Sequence, residues 1–152
     1  MLSITPFLWF DTQAEEAMNL YVSIFPRSKA LAVHRAQGRV MSVEFELEEQ
    51  KFIGLNAGPQ NKFNEAVSFF VACPTQDEID ALWAKLTADG GTEGRCGWLK
   101  DKFGLSWQIV PDTLGRMLGD RDPAKAGRAV NAMLTMSRLD IAALRRAHDG
   151  TA

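Results

Sequence analysis

The sequence predicts an α+β fold in which two βαβββ modules follow one another and a helical segment comes last. Three patterns indicate this fold. A strand followed by an amphipathic helix occurs twice, each helix is followed by segments with the two-residue period of strands, and the C-terminal segment returns to a helical period. We expect a single domain with module one at about 1–60, module two at about 65–111 and a helical extension at about 112–150.

Composition and charge exclude several classes of partner. The 17 basic and 19 acidic residues are spread along the chain and leave a net charge of −2, so no field of one sign attracts nucleic acid. The apolar runs are far shorter than the ~20 residues that cross a bilayer, and the N-terminus does not resemble a secretory signal. Cys73 and Cys96 form neither a disulfide framework nor a CxxC pair. We expect a cytoplasmic protein without nucleic-acid or membrane partners.

The first module begins with an apolar strand, expected at residues 4–10. Thr12 is placed to cap the helix that follows, and Glu15 to reach back to the cap amide. The apolar residues of that helix recur at steps of three and four, at Ala14, Ala17, Tyr21 and Ile24. Apolar and polar residues then alternate over 39–48, and residues 51–56 return after a short turn, which predicts a hairpin with one solvated face.

The second module repeats this pattern. Residues 67–73 form an apolar strand, and Thr75 with Glu78 repeats the capping pattern of Thr12 with Glu15. The capping segments align at a shift of 63 residues, whereas the strands and the apolar helix positions align at 62. The sequence therefore indicates a repeat that contains a one-residue slip.

A further hairpin is predicted where residues 97–100 and 105–111 flank a short turn. Gly104 can adopt the positive φ that such a turn requires. Charges at hairpin turns are normally solvated, and we expect this of three residues here: Lys100, Asp101 and Lys102.

The C-terminal segment predicts two helices. Asp122 is a cap with Pro123 at the first helical position, and Ser137 is a candidate cap for the last helix. The apolar positions of the two helices are Ala126, Val130, Met133 and Leu134, then Leu139, Ala143, Leu144 and Ala147. We expect these stripes to pack on the protein's own sheet or on a partner subunit.

Several segments match a known family: residues 8–11 with 14–18, residues 62–66 and, most specifically, residues 96–111, which read CGWLKDKFGLSWQIVP. On these the chain resembles the PhnB-like branch of the vicinal-oxygen-chelate superfamily (glyoxalase, bleomycin-resistance and dioxygenase proteins), often labelled demethylubiquinone methyltransferase-like. The resemblance covers nearly the whole chain. It implies modules whose mixed sheet curls around a ligand cup, commonly in a homodimer, which we expect here.

The resemblance also implies a metal pattern from which this sequence departs. Metal-using members place His, Gln or Glu on the first and last strands of the modules. Here the first strand has no such residue, and Gln108 stands on the last strand where glutamate is usual; His34 and His148 lie elsewhere. An amide without a carboxylate or imidazole should not hold a divalent cation tightly, so we expect no bound metal and no cofactor.

Three candidate ligand contacts lie on predicted strands. Gln108 is on the strand face opposite Trp107 and Ile109, which by resemblance looks into the cup, where it could orient a ligand or bond a neighbouring strand. Trp9 and Trp98 could line an aromatic cavity or belong to the core.

Two further candidates, Asn56 and Phe63, flank the crossover between the modules. A loop at the mouth of the cup could touch the ligand there, or these residues could form an ordinary capped connection.

The sequence thus predicts a metal-free small-molecule-binding protein with a largely apolar cup and an unknown ligand. No catalytic residue can be assigned, and whether the protein is an enzyme stays open. One alternative is a metal-dependent lyase, isomerase or dioxygenase of the same superfamily. Another is a demethylubiquinone methyltransferase-like enzyme, although no glycine-rich turn for S-adenosylmethionine is present in the sequence.

Overall fold

The computed structural model describes residues 1–151 and confirms the α+β class, with two βαβββ modules followed by helices. The fold consists of a first unit, Met1–Phe63, and a second unit that begins at Asn64. Each unit contains one four-stranded mixed sheet that does not close into a barrel. Within the described residues, every helix is too short or too polar to span a bilayer.

The first unit is one complete module. Its elements are β1 (Phe7–Phe10), α1 (Ala14–Ile24), β2 (Ser28–Ala36), β3 (Arg39–Leu47) and β4 (Gln50–Asn56). The sheet order is β1-β4-β3-β2, in which β1 is parallel to β4 and the other neighbours are antiparallel. The first strand is shorter than predicted, because Ile4 lies outside β1 and is almost fully exposed.

Helix α1 packs on one face of this sheet. Tyr21 of α1 is fully buried against Phe45, and Phe45 stacks on Phe52 with ring centroids 5.4 Å apart. Gly54 lets the helix approach, since a Cβ there would lie 3.0 Å from Val43 and 3.5 Å from Ala14. The alternation that the sequence showed over residues 39–48 is therefore the alternation between this helix-covered face and the opposite one.

The predicted cap of α1 is wrong. The N-cap residue is Gln13 rather than Thr12, and its side chain makes no capping bond. The amide of Asn56 on β4 instead accepts a hydrogen bond from the Ala14 N–H at 2.8 Å. Glu15, predicted to reach back to the cap, pairs with Arg35 of β2 at 3.2 Å.

The second unit repeats the module and adds the helical extension. Its elements are β5 (Ser68–Cys73), α2 (Gln76–Thr87), β6 (Thr92–Glu93), β7 (Trp98–Lys100), β8 (Ser106–Pro111), α3 (Leu114–Leu118), α4 (Pro123–Leu134) and α5 (Ile141–Asp149). The sheet order β5-β8-β7-β6 has the topology of the first sheet, with β5 parallel to β8. Thr75 caps α2 as predicted, accepting from the Glu78 N–H at 3.2 Å.

The repeat is confirmed, but the slip lies elsewhere than predicted. Phe10 and Cys73 both end their strands in the last pair of a parallel ladder, and both are buried. If the second strand were aligned with the first at a shift of 62 residues, the buried Phe10 would correspond to the exposed Ala72. A shift of 63 matches Phe10 with the buried Cys73, so the strands align at 63. The helices align at 62, since the buried Tyr21 and Trp83 then correspond. The extra residue therefore lies between β1 and α1.

The β7–β8 turn is built around a buried carboxylate, which the sequence did not predict. Asp101 is only 3% exposed. Its Oδ1 accepts from the backbone N–H groups of Phe103 and Leu105, and its Oδ2 accepts from Trp107 Nε1 at 2.9 Å. The expectation that this charge is solvated is wrong because the turn supplies it with donors.

The extension forms its own small core, which includes Val110 of β8: Val110, Leu114, Met117, Ala129, Leu139 and Leu144. Asp122 caps α4 as predicted. Asp140 rather than Ser137 caps α5, accepting from the Ala143 N–H at 2.9 Å. Leu134, expected on the apolar stripe, is half-exposed, and Ala129 occupies the buried position instead.

Two sets of hydrogen bonds fix the extension to the second module. Gln76, at the start of α2, donates to Leu139 O and accepts from the Ile141 N–H. The backbone N–H groups of Cys96 and Gly97 donate to Met136 O and Ser137 O, each at 2.8 Å. The extension is therefore an integral part of the second unit.

Candidate functional site

The face of the second sheet that points away from α2 is the candidate site, and we call it the open face. Strand alternation and register place its residues in three rows across β5, β8 and β7. The rows are Ser68–Ser106–Lys100, Phe70–Gln108–Trp98, and Ala72–Val110. Neighbouring strands lie about 4.8 Å apart and successive rows about 7 Å apart, which is the scale of a small molecule.

The middle row brings together two of the predicted ligand residues. Gln108 lies directly opposite Trp98 in the antiparallel ladder and opposite Phe70 in the parallel one. Directly opposed residues have Cβ atoms about 5 Å apart, so the indole, the amide and the phenyl ring are neighbours. Trp98 and Gln108 are half-buried, and Phe70 is 62% exposed. An apolar surface with one polar group at its centre is thereby presented outward.

One end of the Gln108 amide is fixed and the other is free. Its Nε2 donates to Ser68 Oγ at 3.0 Å. Its Oε1 accepts no hydrogen bond from any of residues 1–151, and it is therefore available to a ligand donor. The bond to Ser68 confirms that Gln108 contacts a neighbouring strand, whereas its contact with a ligand stays a prediction.

The first row is polar. Lys100 Nζ forms an ion pair with the carboxylate of Glu65, in the segment that leads to β5. The hydrogen bond from Lys100 lowers the pKa of Glu65 below its ordinary value. Ser106, between Lys100 and Ser68 in register, is 1% exposed, and its hydroxyl has no hydrogen-bond partner among the described residues.

The third row is closed by the extension. Val110 lies two residues after Gln108 on the same strand face and belongs to the core formed with α3, α4 and α5. Met133 and Met136 pack against that core and stay half-exposed. The helices thus limit the open face at one end and leave the aromatic row uncovered.

In the first unit, Trp9 lies on the corresponding face, opposite Leu55 and away from α1. It is half-buried, and its indole N–H donates to Gly58 O at 2.9 Å. Phe7, on the same strand face, is more than half-exposed. On β3 the same face carries Glu44, which pairs with Lys51 at 3.3 Å.

Asn56 and Phe63 lie on the other side of the first sheet. Asn56 pairs in register with Phe10, whose side chain points toward α1. Its Oδ1 accepts from the Ala14 N–H and its Nδ2 donates to Val40 O at 3.1 Å. Phe63 packs edge-on against Phe10, with ring centroids 5.4 Å apart. These two residues therefore do not share a face with Trp9.

Phe70, Ser68 and Phe7 are not among the ligand residues predicted from the sequence. The run of residues 67–73 is apolar on both faces, so it has no two-residue period from which the outward position of Phe70 could be read. Ser68 could have been found only with the register that places it beside Gln108.

The donors on the open face do not fit a divalent metal. Apart from the Glu65 carboxylate, which pairs with Lys100, they are two hydroxyls, one amide and an ammonium group, whereas protein sites for Mg²⁺ and Ca²⁺ contain carboxylates and those for Zn²⁺ contain imidazole, thiolate or carboxylate groups. Within residues 1–151, no three His, Cys, Asp or Glu side chains lie close enough together to hold a metal ion. Burial raises the pKa of Cys73 to about 11, so this thiol is protonated at neutral pH and is a poor ligand and nucleophile.

A protein-family model described as 3-demethylubiquinone-9 3-methyltransferase matches residues 2–110. This range contains both modules and ends within β8, so α3, α4 and α5 lie outside the match. No curated protein sequence matches the chain significantly.

Solved structures with the same fold include three that differ in their distance from this chain. The Bacillus cereus PhnB protein, described as a 3-demethylubiquinone-9 3-methyltransferase, is 33% identical, with a TM-score of 0.68 over 72% of this chain and 99% of its own. Protein PA1353 from Pseudomonas aeruginosa is 17% identical, with a TM-score of 0.61 over 74% and 98%. The Listeria monocytogenes fosfomycin resistance protein FosX, solved with Mn(II) and sulfate, is 11% identical, with a TM-score of 0.51 over 78% and 97%.

Proposed function

The chain belongs to the 3-demethylubiquinone-9 3-methyltransferase family, in the PhnB-like branch of the vicinal-oxygen-chelate superfamily, and on this basis we propose that it binds a small molecule on the open face of the second sheet without a metal ion. The observation that carries the proposal is the middle row. Trp98 and Phe70 flank Gln108, whose Oε1 is unused by any described residue.

The chemistry of this row favours a flat, largely apolar ligand with a hydrogen-bond donor. Exposed aromatic rings offer such a ligand area for stacking. The bond from Gln108 Nε2 to Ser68 Oγ holds the amide in one orientation and directs its free oxygen. A preoriented acceptor costs little side-chain entropy on binding, and this gives the ligand its orientation.

Trp9, on the corresponding face of the first sheet, is proposed as a ligand contact within the first unit. Its bond to Gly58 O fixes the indole, as the bond to Ser68 fixes Gln108. Direct contact of Asn56 and Phe63 with the ligand stays a prediction. Their bonds to backbone and to Phe10 already account for them as residues that position α1 and the crossover.

The binding proposal is tested with a panel of aromatic and quinone-like compounds in a thermal-shift assay, followed by titration of the compounds that raise the Tm. A ligand at 100 times its Kd adds ~2.7 kcal/mol of stability. We expect Trp98→Ala and Gln108→Ala to weaken binding, and Met41→Ala, at an exposed position of β3, to leave it unchanged. Equal affinities for all three variants and the wild type would remove the open face from consideration.

Metal-dependent chemistry is the first alternative, favoured by the Mn(II) found with the Listeria monocytogenes FosX protein. The donors on the open face argue against it in this chain. Metal analysis of protein purified without chelator distinguishes metal-free binding from metal-dependent chemistry. We expect less than stoichiometric metal, and one equivalent of Zn, Fe, Mn or Ni would overturn the metal-free proposal.

Methyl transfer is the second alternative, favoured by the description of the family itself. Most enzymes that use S-adenosylmethionine bind it on a doubly wound parallel sheet, and each sheet here is a four-stranded mixed one. We expect no thermal shift with S-adenosylmethionine. A saturable shift would favour the methyltransferase.

We also propose that the protein forms a homodimer in which residues of both copies contribute to ligand binding. Large apolar side chains are exposed in each unit: Leu2, Ile4 and Phe7 in the first, and Val67 and Phe70 in the second. Exposed large apolar side chains favour association with a second copy of the chain. Light scattering at micromolar concentration is expected to give twice the chain mass of 16.8 kDa. A monomer with unchanged ligand affinity would contradict the shared site.

A further inference from the structure

We propose that the ligand carries a carboxylate, which binds at the polar first row of the open face, and that Glu65 occupies this position in the ligand-free protein. The inference rests on the proposed function and names the class of ligand: a flat apolar group joined to a carboxylate.

The first observation is the hydroxyl of Ser106. It is buried, and no described residue bonds it. Buried polar groups nearly always have a partner, because an unmet one costs the full desolvation of that group. In register, Ser106 lies between Ser68 and Lys100. The Ser68 hydroxyl accepts from Gln108, which leaves its own proton free to be donated. One hydroxyl donor, that of Ser106, thus lies beside the ammonium group of Lys100, and a second, that of Ser68, lies one strand further along the row.

The second observation is what Lys100 contacts. Lys100 is the one charged residue of the three rows, and its ammonium group pairs with a carboxylate, that of Glu65. The structure therefore already shows that this ammonium group donates to a carboxylate. An ammonium group with hydroxyl donors in the same row is a donor set that suits a carboxylate ligand.

Glu65 can be displaced at small cost. Its side chain is 61% exposed and that of Lys100 is 43% exposed, so water screens the pair. Glu65 lies outside the helices and strands, in the segment before β5, and is not fixed by a ladder. A ligand carboxylate that also bonds Ser106 gains a contact that Glu65 does not make.

The spacing of the rows relates the two ends of the ligand. The first and middle rows are about 7 Å apart, so an apolar ring stacked beside Trp98 and a carboxylate near Lys100 are separated by a short linker. Benzoate, phenylacetate and 3-phenylpropanoate are suitable probes because they differ only in the length of the linker between the ring and the carboxylate. The amide 3-phenylpropanamide is the neutral counterpart of 3-phenylpropanoate.

The experiment is a calorimetric titration of the full-length protein with these four probes. We expect at least one carboxylate to bind about tenfold more tightly than the amide, as a charge-assisted bond provides. Glu65→Gln removes the internal competitor and is expected to raise carboxylate affinity about threefold while leaving the amide unchanged. Lys100→Gln is expected to abolish the preference for the carboxylate. Lys102→Gln, in the adjoining turn, is the matched control and should keep it.

Ser106→Ala separates binding from a purely structural role. The substitution removes an unmet buried hydroxyl and is expected to leave the Tm unchanged or raise it, while weakening only the carboxylates. If carboxylates and amide bind equally well in wild type and Glu65→Gln, the ligand class is wrong and the binding function stands. If none of the four probes binds either protein, both proposals fail.

Discussion

Asp101 is the residue whose environment in the structure differs most from the one predicted from its neighbours in the sequence. A carboxylate between two lysines in a hairpin turn is normally solvated, yet this one accepts from two backbone N–H groups and from the indole of Trp107. The sequence contains the partners but not the turn geometry that aligns them. Burial of a charged residue at a turn could therefore not be predicted from pattern alone.

Removing this carboxylate is expected to be costly. Asp101→Ala leaves three donors without their acceptor, and we expect a loss of about 3 kcal/mol or more of unfolding free energy. Urea denaturation measures it. Asp112→Ala, at an exposed aspartate just after β8, is the matched control and should change stability by less than about 0.5 kcal/mol. Similar midpoints for both variants would mean that the Asp101 bonds are not formed in solution.

Neighbouring residues on β8 should differ sharply because they lie on opposite faces. Trp107 is 2% exposed and packs against Phe69, whereas Gln108 is half-buried on the open face. Trp107→Ala is expected to destabilise by ~3 to 5 kcal/mol, and Gln108→Ala by less than about 1 kcal/mol. Thermal melts of the two variants test the strand-face assignment, which a wild-type curve for the tryptophan variant would refute.

At the scale of elements, helix starts were predicted correctly in two of four cases. Thr75 and Asp122 cap their helices as expected. Thr12 and Ser137 do not cap their helices, because the N-cap position is taken by a residue one or three positions later. Where each helix begins also depends on side-chain amides that are distant in sequence. Gln76 bonds the first turn of α5 from 65 residues away. Such contacts have no local signature in a sequence.

The correction at α5 gives a direct test. Asp140 accepts from the Ala143 N–H, so Asp140→Ala is expected to cost about 1 kcal/mol of stability. Ser137→Ala should cost less than half of that, since the Ser137 backbone, not its hydroxyl, pairs with Gly97. Chemical denaturation of both variants distinguishes the two candidate caps. A larger loss of unfolding free energy for Ser137→Ala than for Asp140→Ala would mean that Ser137 is the cap, as the sequence predicted.

For the molecule as a whole, the class, both modules and the closing helices were predictable from the repeat, the strand periods and the family resemblance. The candidate site was predictable only in part. Strand alternation placed Gln108 on the face opposite Trp107 and Ile109, but the register that sets Trp98 beside Gln108 could not be read from the sequence. Strand alternation also separates Asn56 from Trp9, since adjacent register positions, Leu55 and Asn56, point to opposite sides. The proximity of Glu65 to Lys100 depends on the crossover and could not be read from the sequence.

The attachment of the extension to the second module depends on Gly97. Its φ of +86° favours glycine, and a Cβ would lie 2.9 Å from Ile109 O and 3.0 Å from Leu139. Gly97→Ala is expected to cost about 2 kcal/mol or more and to make residues 112–151 more sensitive to proteolysis. Gly127→Ala in α4, where a Cβ meets nothing within 4 Å, is the control and should be neutral or stabilising. Identical proteolysis of both variants would show that this contact does not hold the extension.

The pairing of Cys96 and Gly97 with Met136 and Ser137 has a consequence for synthesis on the ribosome. All strands of the first unit lie within its 63 residues, so that unit can fold while the rest of the chain is being translated. The loop before β7 obtains its hydrogen-bond partners about forty residues later, and α5 follows them. The second unit therefore completes its structure only after residues 136 and 137 have been synthesised, which is later than the first unit.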